Sequence, residues 1–218
     1  MVLIKHYDAP PIDEDEIFRY AGCKGDSDSV RELFDNCRAE IGDSLSYKIC
    51  FLPLTVSVKG DDCDFGVCGV KSKDLARNLD GCAEAVVFAA TIGVGIDRLI
   101  AKYNVLSPAK ALMFDALGTE RIEALCDLFC RDLSKEYQKS LKPRFSPGYG
   151  DLDLSFQKEI FSVLNCRKHI GLTMTESLMM SPSKSVTAIV GLSEKKCEKT
   201  SRKCELCGNT ECAFRGAL

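Results

Sequence analysis

An arginine, a glycine and a tyrosine lie close together in one turn-rich segment of the sequence, Arg144-x-x-x-Gly148-Tyr149. The planar guanidinium of arginine offers two parallel donors to a carboxylate. The Pro147-Gly148 pair lets backbone groups approach a flat ligand closely, and a tyrosine ring can lie beside a cation or another ring. The combination could bind a small ligand with a carboxylate and a flat ring, although a Pro-Gly turn near an arginine is most often only a turn.

A second chemical pattern is a group of four cysteines near the end of the chain. A C-x-x-C pair with two further cysteines close by predicts a metal site, because four thiolates can converge on one centre without a large fold. Zinc would give a structural site and an iron–sulfur cluster would give an electron relay, and the spacing does not separate them. The alternative is a set of unliganded thiols on a frayed tail. The four candidate ligands are Cys197, Cys204, Cys207 and Cys212.

Two glutamates lie on the longest predicted helix, 108–137. With about 100° of rotation per residue, Glu123 falls inside a narrow apolar stripe and Glu120 lies at its edge. Burial of an unpaired carboxylate is unfavourable. Glu123 therefore either points into a ligand pocket or lies at the solvated rim of a wider stripe, and both interpretations stay open. The stripe consists of Leu112, Ala116 and Cys130.

The elements that must position these residues are helices and strands that do not strictly alternate. This mixture predicts an α+β domain with a mixed, largely antiparallel sheet packed by helices. The apolar run 83–91 is typical of a central strand. We assign residues 1–192 to the domain and residues 193–218 to a cysteine-rich, metal-binding tail. The predicted helices are 13–20, 27–41, 73–79, one after Gly95, 108–137 and 156–164, and the predicted strands are 46–59 (broken at Pro53), 65–70, 83–91 and 185–192.

Three motifs follow one another in the second half of the chain: Arg-Phe-Ser-Pro-Gly-Tyr (144–149), Gly-Leu-Thr-Met-Thr-Glu-Ser-Leu-Met-Met-Ser-Pro (171–182) and Ser-Val-Thr (185–187). Together they resemble the reactivation domain of cobalamin-dependent methionine synthase. That family has an R-x-x-x-G-Y loop, then a G-x-x-L-T-E-S-x-x-M-x-P segment, then an S-V-S strand. The helix segment 116–124 is also similar to the family's acidic helix. The resemblance covers about residues 107–192, and three ordered motifs are more specific than any one of them.

The resemblance implies that the protein binds S-adenosylmethionine and reactivates a corrinoid methyltransferase of the methionine synthase type. A cobalamin in the inactive Co(II) state accepts one electron, and S-adenosylmethionine then methylates the resulting Co(I). Because Co(I) is itself a strong nucleophile, no catalytic residue is required of this chain, and positioning is sufficient. The protein would then be a component of a methyltransferase activity in methionine biosynthesis. Its partners would be a corrinoid protein or methionine synthase modules and a low-potential electron donor, which slightly favours the iron–sulfur interpretation of the cysteines.

The resemblance also implies roles for individual residues. Arg144 would clamp the methionine carboxylate, and backbone near Ser146 and Gly148 would contact the adenine. Tyr149 would pack on the ligand. A carboxylate of the acidic helix would pair with the amino or sulfonium cation. The candidates for that carboxylate are Glu123 and, secondarily, Glu120.

Two departures from the family are visible. After the tyrosine of the R-x-x-x-G-Y loop, the synthases have a P-x-C-P-(D/E)-H-T-E-K stretch, whereas this chain has Gly-Asp-Leu-Asp-Leu-Ser (150–155). The synthases also extend beyond the final strand with aromatic residues that help to hold the cofactor, whereas this chain has its cysteine tail there. We therefore expect a short, free-standing relative without cobalamin-binding or catalytic modules.

The overall composition excludes several classes of protein. The 218 residues include 29 Lys and Arg against 32 Asp and Glu, a formal net charge of −3, which argues against a broad nucleic-acid surface. No apolar run approaches the roughly 18 residues of a membrane helix, and no signal peptide is evident at the N-terminus. We expect a cytoplasmic protein without nucleic-acid or membrane partners. Nine cysteines outside the tail are predicted to be buried apolar residues or inert thiols.

Two alternative functions stay open. A non-catalytic adaptor with a metal-binding tail could dock on a corrinoid protein. It would have no affinity for S-adenosylmethionine, and Arg144→Ala would change nothing. A stand-alone S-adenosylmethionine-dependent methyltransferase would instead act on a small molecule without a corrinoid partner, although no general base for that chemistry is evident.

Overall fold

The structure, a computed structural model, has an α+β fold and describes residues 1–23, 25 and 27–194. The candidate metal ligands Cys197, Cys204, Cys207 and Cys212 lie outside these described residues. The helices are α1 (Glu14–Tyr20), α2 (Asp28–Ile41), α3 (Lys73–Asn78), α4 (Gly95–Leu106), α5 (Pro108–Tyr137), α6 (Gln157–Leu164) and α7 (Cys166–Ile170). The strands are β1 (Leu3–Tyr7), β2 (Tyr47–Thr55), β3 (Ser57–Lys59), β4 (Asp62–Asp64), β5 (Gly69–Lys71), β6 (Glu84–Thr91), β7 (Ser140–Leu141), β8 (Thr173–Met174), β9 (Met180–Ser181) and β10 (Ser185–Ser193).

The main sheet has five strands in the order β1-β2-β6-β10-β7. Each neighbouring pair is antiparallel, so the largely antiparallel sheet expected from the sequence is confirmed. Strand β6 lies at the centre and pairs along its whole length with both β2 and β10. Two small sheets, β3-β4-β5 and β8-β9, lie outside it.

Helices cover both faces of the main sheet, which explains why β6 is apolar at successive positions. Val86, Phe88 and Ala90 belong to a core shared with α1, α2, α4 and α5. The alternate residues Val87 and Ala89 belong to a second core shared with α3, α6 and α7. Because side chains of a strand alternate between its faces, one strand supplies both cores.

Strand β2 runs without interruption through Pro53, where the sequence predicted a break. The pairing of β1 with β2 ends at Phe51, so at Pro53 strand β2 has only β6 as a neighbour. A proline is tolerated at such an edge because the missing N–H removes no ladder bond on the open side. Strand β3 follows separately after Val56.

The predicted strand 65–70 is wrong over its first four residues, and only Gly69 and Val70 belong to a strand, β5. Gly66 has a φ of 78°, and its N–H donates to the Asp64 carboxylate. Backbone at positive φ favours glycine and a turn. The turn closes where Phe65 N–H donates to the Cys68 carbonyl at 2.9 Å, and it connects β4 with β5.

Helix α5 begins and ends where the sequence predicted, at Pro108 and Tyr137. Proline is favoured in the first turn of a helix, where its missing N–H costs no intrahelical bond. The buried face of the helix differs from the predicted stripe. Leu112 is 54% exposed, whereas Glu120 and Arg121 are buried. Among the described residues, no helix is both long and apolar enough to span a membrane.

Candidate functional site

A cleft of about 710 Å³ lies between the N-terminal segment, helix α1 and the middle of α5. Its walls also include Tyr20, Ala124 and Arg131. Carboxylates dominate the lining, so the cleft favours a ligand with positive charge. The carboxylates are those of Asp13, Glu14, Asp15, Glu16, Glu120, Glu123 and Asp127.

The α5 wall of this cleft follows from helical spacing. Glu120, Glu123, Asp127 and Arg131 succeed one another at intervals of three and four residues, so they lie on one face of the helix. The opposite face carries Leu125 and Phe129 into the core, where both are fully buried. This packing fixes the wall because the helix cannot rotate without exposing its apolar side.

Arg144 lies beside this wall and binds two of its carboxylates. Its Nη2 is 2.7 Å from Oε2 of Glu123 and 3.0 Å from Oδ1 of Asp127. The arginine side chain is only 17% exposed, against 44% for Glu123 and 67% for Asp127. Burial opposes the charged form of Arg144, but the neighbouring Cys126 sulfur and these two carboxylates outweigh it and raise the pKa of the guanidinium.

The second terminal nitrogen of Arg144, Nη1, is not bound by these carboxylates. Nη1 is buried and has no hydrogen-bond partner among the described residues. A buried donor without a partner is unfavourable by roughly 1–3 kcal/mol, and more when it belongs to a charged group. Such an atom marks a position where an acceptor from a ligand would be stabilising.

Backbone bonds to the sheet hold Arg144 in place. Its neighbour Phe145 forms an isolated bridge with Ile189 of β10, with N–H to carbonyl distances of 2.9 and 2.8 Å. Lys142 N–H also donates to the Gly191 carbonyl at 2.9 Å. The arginine is therefore attached to the main sheet through strand β10, although it belongs to a loop.

The rest of the predicted ligand loop forms a turn beside Arg144. Gly148 has a φ of 90°, which favours glycine, and its N–H donates to the Leu152 carbonyl at 2.8 Å. Tyr149 N–H donates to the Ser146 carbonyl at 3.1 Å, and the Tyr149 side chain is 57% exposed. Ser146, Gly148 and Tyr149 do not line the acidic cleft. The structure thus brings Arg144 and Glu123 into contact and places the other three in the adjoining turn.

Glu120 has different surroundings from those expected of a ligand-binding residue. Its carboxylate accepts hydrogen bonds from Nε and Nη2 of Arg121, both at 2.5 Å, and from the backbone N–H of Asp13 at 3.2 Å. Arg121 also donates to the carbonyls of Pro10 and Pro11 at 2.5 and 2.7 Å. This buried pair attaches the N-terminal segment to α5. Relative to the predicted stripe, Glu120 is buried and Glu123 is at the half-exposed edge, which reverses the expected order.

Several residues of the cleft were missed in the sequence. Asp127 and Arg131 continue the face of Glu123 at further helical turns, so helical periodicity alone could have indicated them. Asp13 and Tyr20 reach the cleft only through tertiary packing of α1 on α5, for which the local sequence carries no signal. Burial and then the Glu123 carboxylate raise the pKa of the Tyr20 phenol, consistent with its place in the wall.

The nine cysteines outside the tail show no metal arrangement. Six of them are buried, and burial raises the pKa of Cys37 and of Cys63 to about 11. Across residues 1–23, 25 and 27–194, no three His, Cys, Asp or Glu side chains converge as metal ligands would.

A second cleft of about 540 Å³ shares Pro10 and Ile12 with the first and is also lined by Arg38, Tyr47 and Lys48. Arg144 and the turn after it are absent from the lining of both clefts, but Arg144 binds two carboxylates of the acidic cleft, Glu123 and Asp127. Through these contacts the acidic cleft is the better candidate for the site of the 144–149 loop.

Comparison with known proteins identifies the fold and the family of the chain. No curated protein matches the chain. Among solved structures, a crystal structure of the MetH reactivation domain bound to AdoHcy is similar, with a TM-score of 0.72 and 16% sequence identity over 91% of this chain and 80% of that one. At this identity the likeness shows the fold. The model of the family described as the vitamin B12 dependent methionine synthase activation domain matches residues 74–200, more than half of the chain. The chain therefore belongs to the family of vitamin B12 dependent methionine synthase activation domains.

Proposed function

We propose that the protein binds S-adenosylmethionine in the acidic cleft beside Arg144 and uses it to reactivate a cobalamin-dependent methionine synthase. Membership of the activation-domain family supports the role. The similar MetH domain binds AdoHcy, the thioether that remains when S-adenosylmethionine has lost its methyl group.

The observation that carries this proposal is the unpartnered Nη1 of Arg144 beside two carboxylates. A ligand carboxylate would satisfy that buried donor through a charge-assisted hydrogen bond. The group of Arg144, Glu123 and Asp127 has one negative charge in excess. S-adenosylmethionine has one positive charge in excess, because its ammonium and sulfonium outnumber its carboxylate. The two charge patterns are complementary.

Within this proposal each predicted residue keeps a distinct role. Arg144 binds the methionine carboxylate, and Glu123 pairs with the amino group. Backbone at Ser146 and Gly148 contacts the adenine, and the exposed ring of Tyr149 packs on the ligand. Glu120 stabilises the wall of the cleft and does not contact the ligand, because its carboxylate is already bound by Arg121.

The chemistry requires positioning by this chain and no acid or base. The partner's cobalamin, as substrate, takes one electron from a low-potential donor and then the methyl group, whose bond to sulfur breaks to leave S-adenosylhomocysteine. The chain binds the donor so that its sulfonium methyl faces that partner. A corrinoid module and an electron donor are therefore the proposed partners.

The cysteine tail has a separate place in the proposal. Cys197, Cys204, Cys207 and Cys212 would hold an iron–sulfur cluster or a zinc ion, as their spacing suggests. A cluster would supply an electron relay next to a reaction that consumes one electron. Zinc would instead fold the tail into a docking element.

Calorimetric titration of anaerobically purified protein with S-adenosylmethionine tests the function. We expect saturable binding by the wild type and at least a tenfold loss of affinity in Arg144→Ala, because a hydrogen bond to a charged group contributes about 1.5–3 kcal/mol. Arg167→Ala, an exposed arginine of α7, is the matched control and should bind as the wild type does.

Absence of binding in the wild type would refute the proposal and favour the docking adaptor. Equal binding by the wild type and Arg144→Ala would place the methyl donor elsewhere. Methyl transfer to a small molecule without any corrinoid protein would instead support the stand-alone methyltransferase.

A further inference from the structure

Asp127 follows Glu123 by one helical turn and binds the same atom of Arg144. The distances to Nη2 are 3.0 Å from Oδ1 of Asp127 and 2.7 Å from Oε2 of Glu123. Two acceptors from successive turns thus converge on one nitrogen, while Nη1 on the other branch of the guanidinium has no partner among the described residues.

This arrangement restrains a side chain that is otherwise flexible. A single carboxylate would let the guanidinium pivot about one contact. A second carboxylate on the same rigid helix removes that freedom, because Cys126 and Phe129 of α5 are fully buried in the core. The direction of the free Nη1 branch is therefore set by α5 and not by the loop that carries Arg144.

We propose that Asp127 is a positioning residue for the ligand carboxylate: it holds Nη2 of Arg144 so that Nη1 is left to bind the amino-acid part of the methyl donor. The inference rests on the proposed function. In this structure Nη1 is shielded from solvent, so the groups that cover it must move when a ligand binds, while Glu123 and Asp127 keep their contacts with Nη2.

The bland interpretation of the same contact is an ordinary surface ion pair. Exposed pairs of this kind contribute little to stability, so removal of Asp127 would then leave ligand binding unchanged. A positioning role predicts a loss restricted to ligands with the amino-acid part. The test must therefore compare two ligands and not only two proteins.

The experiment titrates the full chain with S-adenosylmethionine and with 5′-methylthioadenosine, which lacks the amino and carboxylate groups and also the sulfonium charge. S-adenosylhomocysteine, which keeps the amino and carboxylate groups but has no sulfonium charge, is titrated beside them and should lose affinity as S-adenosylmethionine does. We expect Asp127→Asn to bind S-adenosylmethionine about tenfold more weakly than the wild type does. Its affinity for 5′-methylthioadenosine should equal that of the wild type. Asp127→Glu, which keeps the charge, should restore most of the lost affinity. Asp115→Asn removes another carboxylate of α5 from an ion pair, with Lys184, and is the matched control.

Each outcome either supports or overturns the positioning role of Asp127. Unchanged affinity of Asp127→Asn for S-adenosylmethionine would overturn the positioning role, and so would an equal loss for S-adenosylmethionine and 5′-methylthioadenosine or failure of Asp127→Glu to rescue binding. Absence of S-adenosylmethionine binding in the wild type would refute the proposed function and the inference with it. Thermal unfolding of each variant verifies that the proteins compared are folded.

Discussion

Two glutamates three residues apart on α5 have different roles because their surroundings differ. Glu120 is 4% exposed and accepts three hydrogen bonds, two from Arg121 and one from the backbone of Asp13. Glu123 is half-exposed and shares Arg144 with Asp127. The first arrangement is that of a structural ion pair, and the second leaves a donor available. The role of each carboxylate therefore depends on the arginine that it binds.

Glu120→Gln is expected to destabilise the protein by about 3 kcal/mol, because it leaves the buried Arg121 without its counter-charge. Urea unfolding followed by circular dichroism measures the loss. Glu123→Gln is the matched control on the same helix, and we expect a change of less than about 1 kcal/mol, since its ion pair is partly exposed. Equal stability of the two variants would contradict the assignment of Glu120 to a structural role.

The sequence could predict part of this residue-scale arrangement. It indicated Arg144 and Glu123 as separate contacts to one ligand, and the structure places the two side chains in direct contact, 2.7 Å apart. It could not indicate that Glu120 would be buried, because that burial depends on Arg121 and on the carbonyls of Pro10 and Pro11, more than 100 residues away. Hydropathy describes the average preference of a side chain and contains no information about a specific distant partner.

At the scale of elements, the 144–149 loop is attached to regular structure on both sides. Phe145 bonds to Ile189 of β10 before the turn. After the turn, the Asp151 carboxylate accepts hydrogen bonds from Ser72 Oγ and from the backbone N–H groups of Lys73 and Asp74, at the start of α3. Asp151 thereby joins the 144–149 loop to the N-terminus of a helix, where a negative charge is favourable.

Asp151→Asn should lower the melting temperature at pH 7. The Ser72 hydroxyl and the two N–H groups lower the pKa of Asp151 in the folded protein. The stability that this carboxylate contributes is thus fully present above its unfolded pKa, about 3.9, and is lost as the pH falls through the lower folded value. Thermal unfolding at several pH values should therefore show a difference from the wild type that is constant near neutrality and shrinks below about pH 4.

Asp80→Asn, an exposed aspartate beyond the end of α3, is the control for this experiment and should follow the wild type. A difference for Asp151→Asn that persists unchanged in acid would contradict the pairing with α3.

Elements with strong local signals were predictable, and those that depend on partners were not. Helix α5 and strands β6 and β10 combine long apolar patterns with clear ends, and the structure has them within about two residues of the expected bounds. The apolar stripe of α5 was wrong at Leu112, which is 54% exposed. Strand β2 continues through Pro53, where the sequence predicted a break, because its pairing with β1 stops at Phe51. A single sequence does not show which strands will be neighbours.

At the scale of the whole molecule, the candidate site combines chain segments that are far apart in sequence. Asp13 and Tyr20 come from the first strand–helix connection and α1, Glu123 from α5, and Arg144 from the loop after β7. Packing of α1 on α5 and the five-stranded sheet are what bring them together. The fold class was predictable from the pattern of elements, whereas this convergence depends on topology.

The metal proposal is also tested on the whole protein. Replacement of Cys197, Cys204, Cys207 and Cys212 together by serine should abolish metal in the anaerobically purified full chain, as measured by elemental analysis. Iron with acid-labile sulfide in the wild type would identify a cluster, and zinc would identify a structural site. Because every residue proposed to contact S-adenosylmethionine lies between 120 and 149, we expect the affinity for this ligand to be unchanged. Absence of metal in both proteins would contradict the proposal.

The match to the family covers residues 74–200, yet one wall of the cleft comes from residues 10–20. A fragment cut at the start of that match would lose β1, β2 and α1. Strand β6 would then present a long apolar edge to solvent, since all eight of its pairings with β2 would be missing. We therefore expect residues 74–200 alone neither to fold stably nor to form the acidic cleft. Gene fusions, deletions and grafts of this domain should keep the N-terminal seventy residues, even though they carry none of the family's motifs.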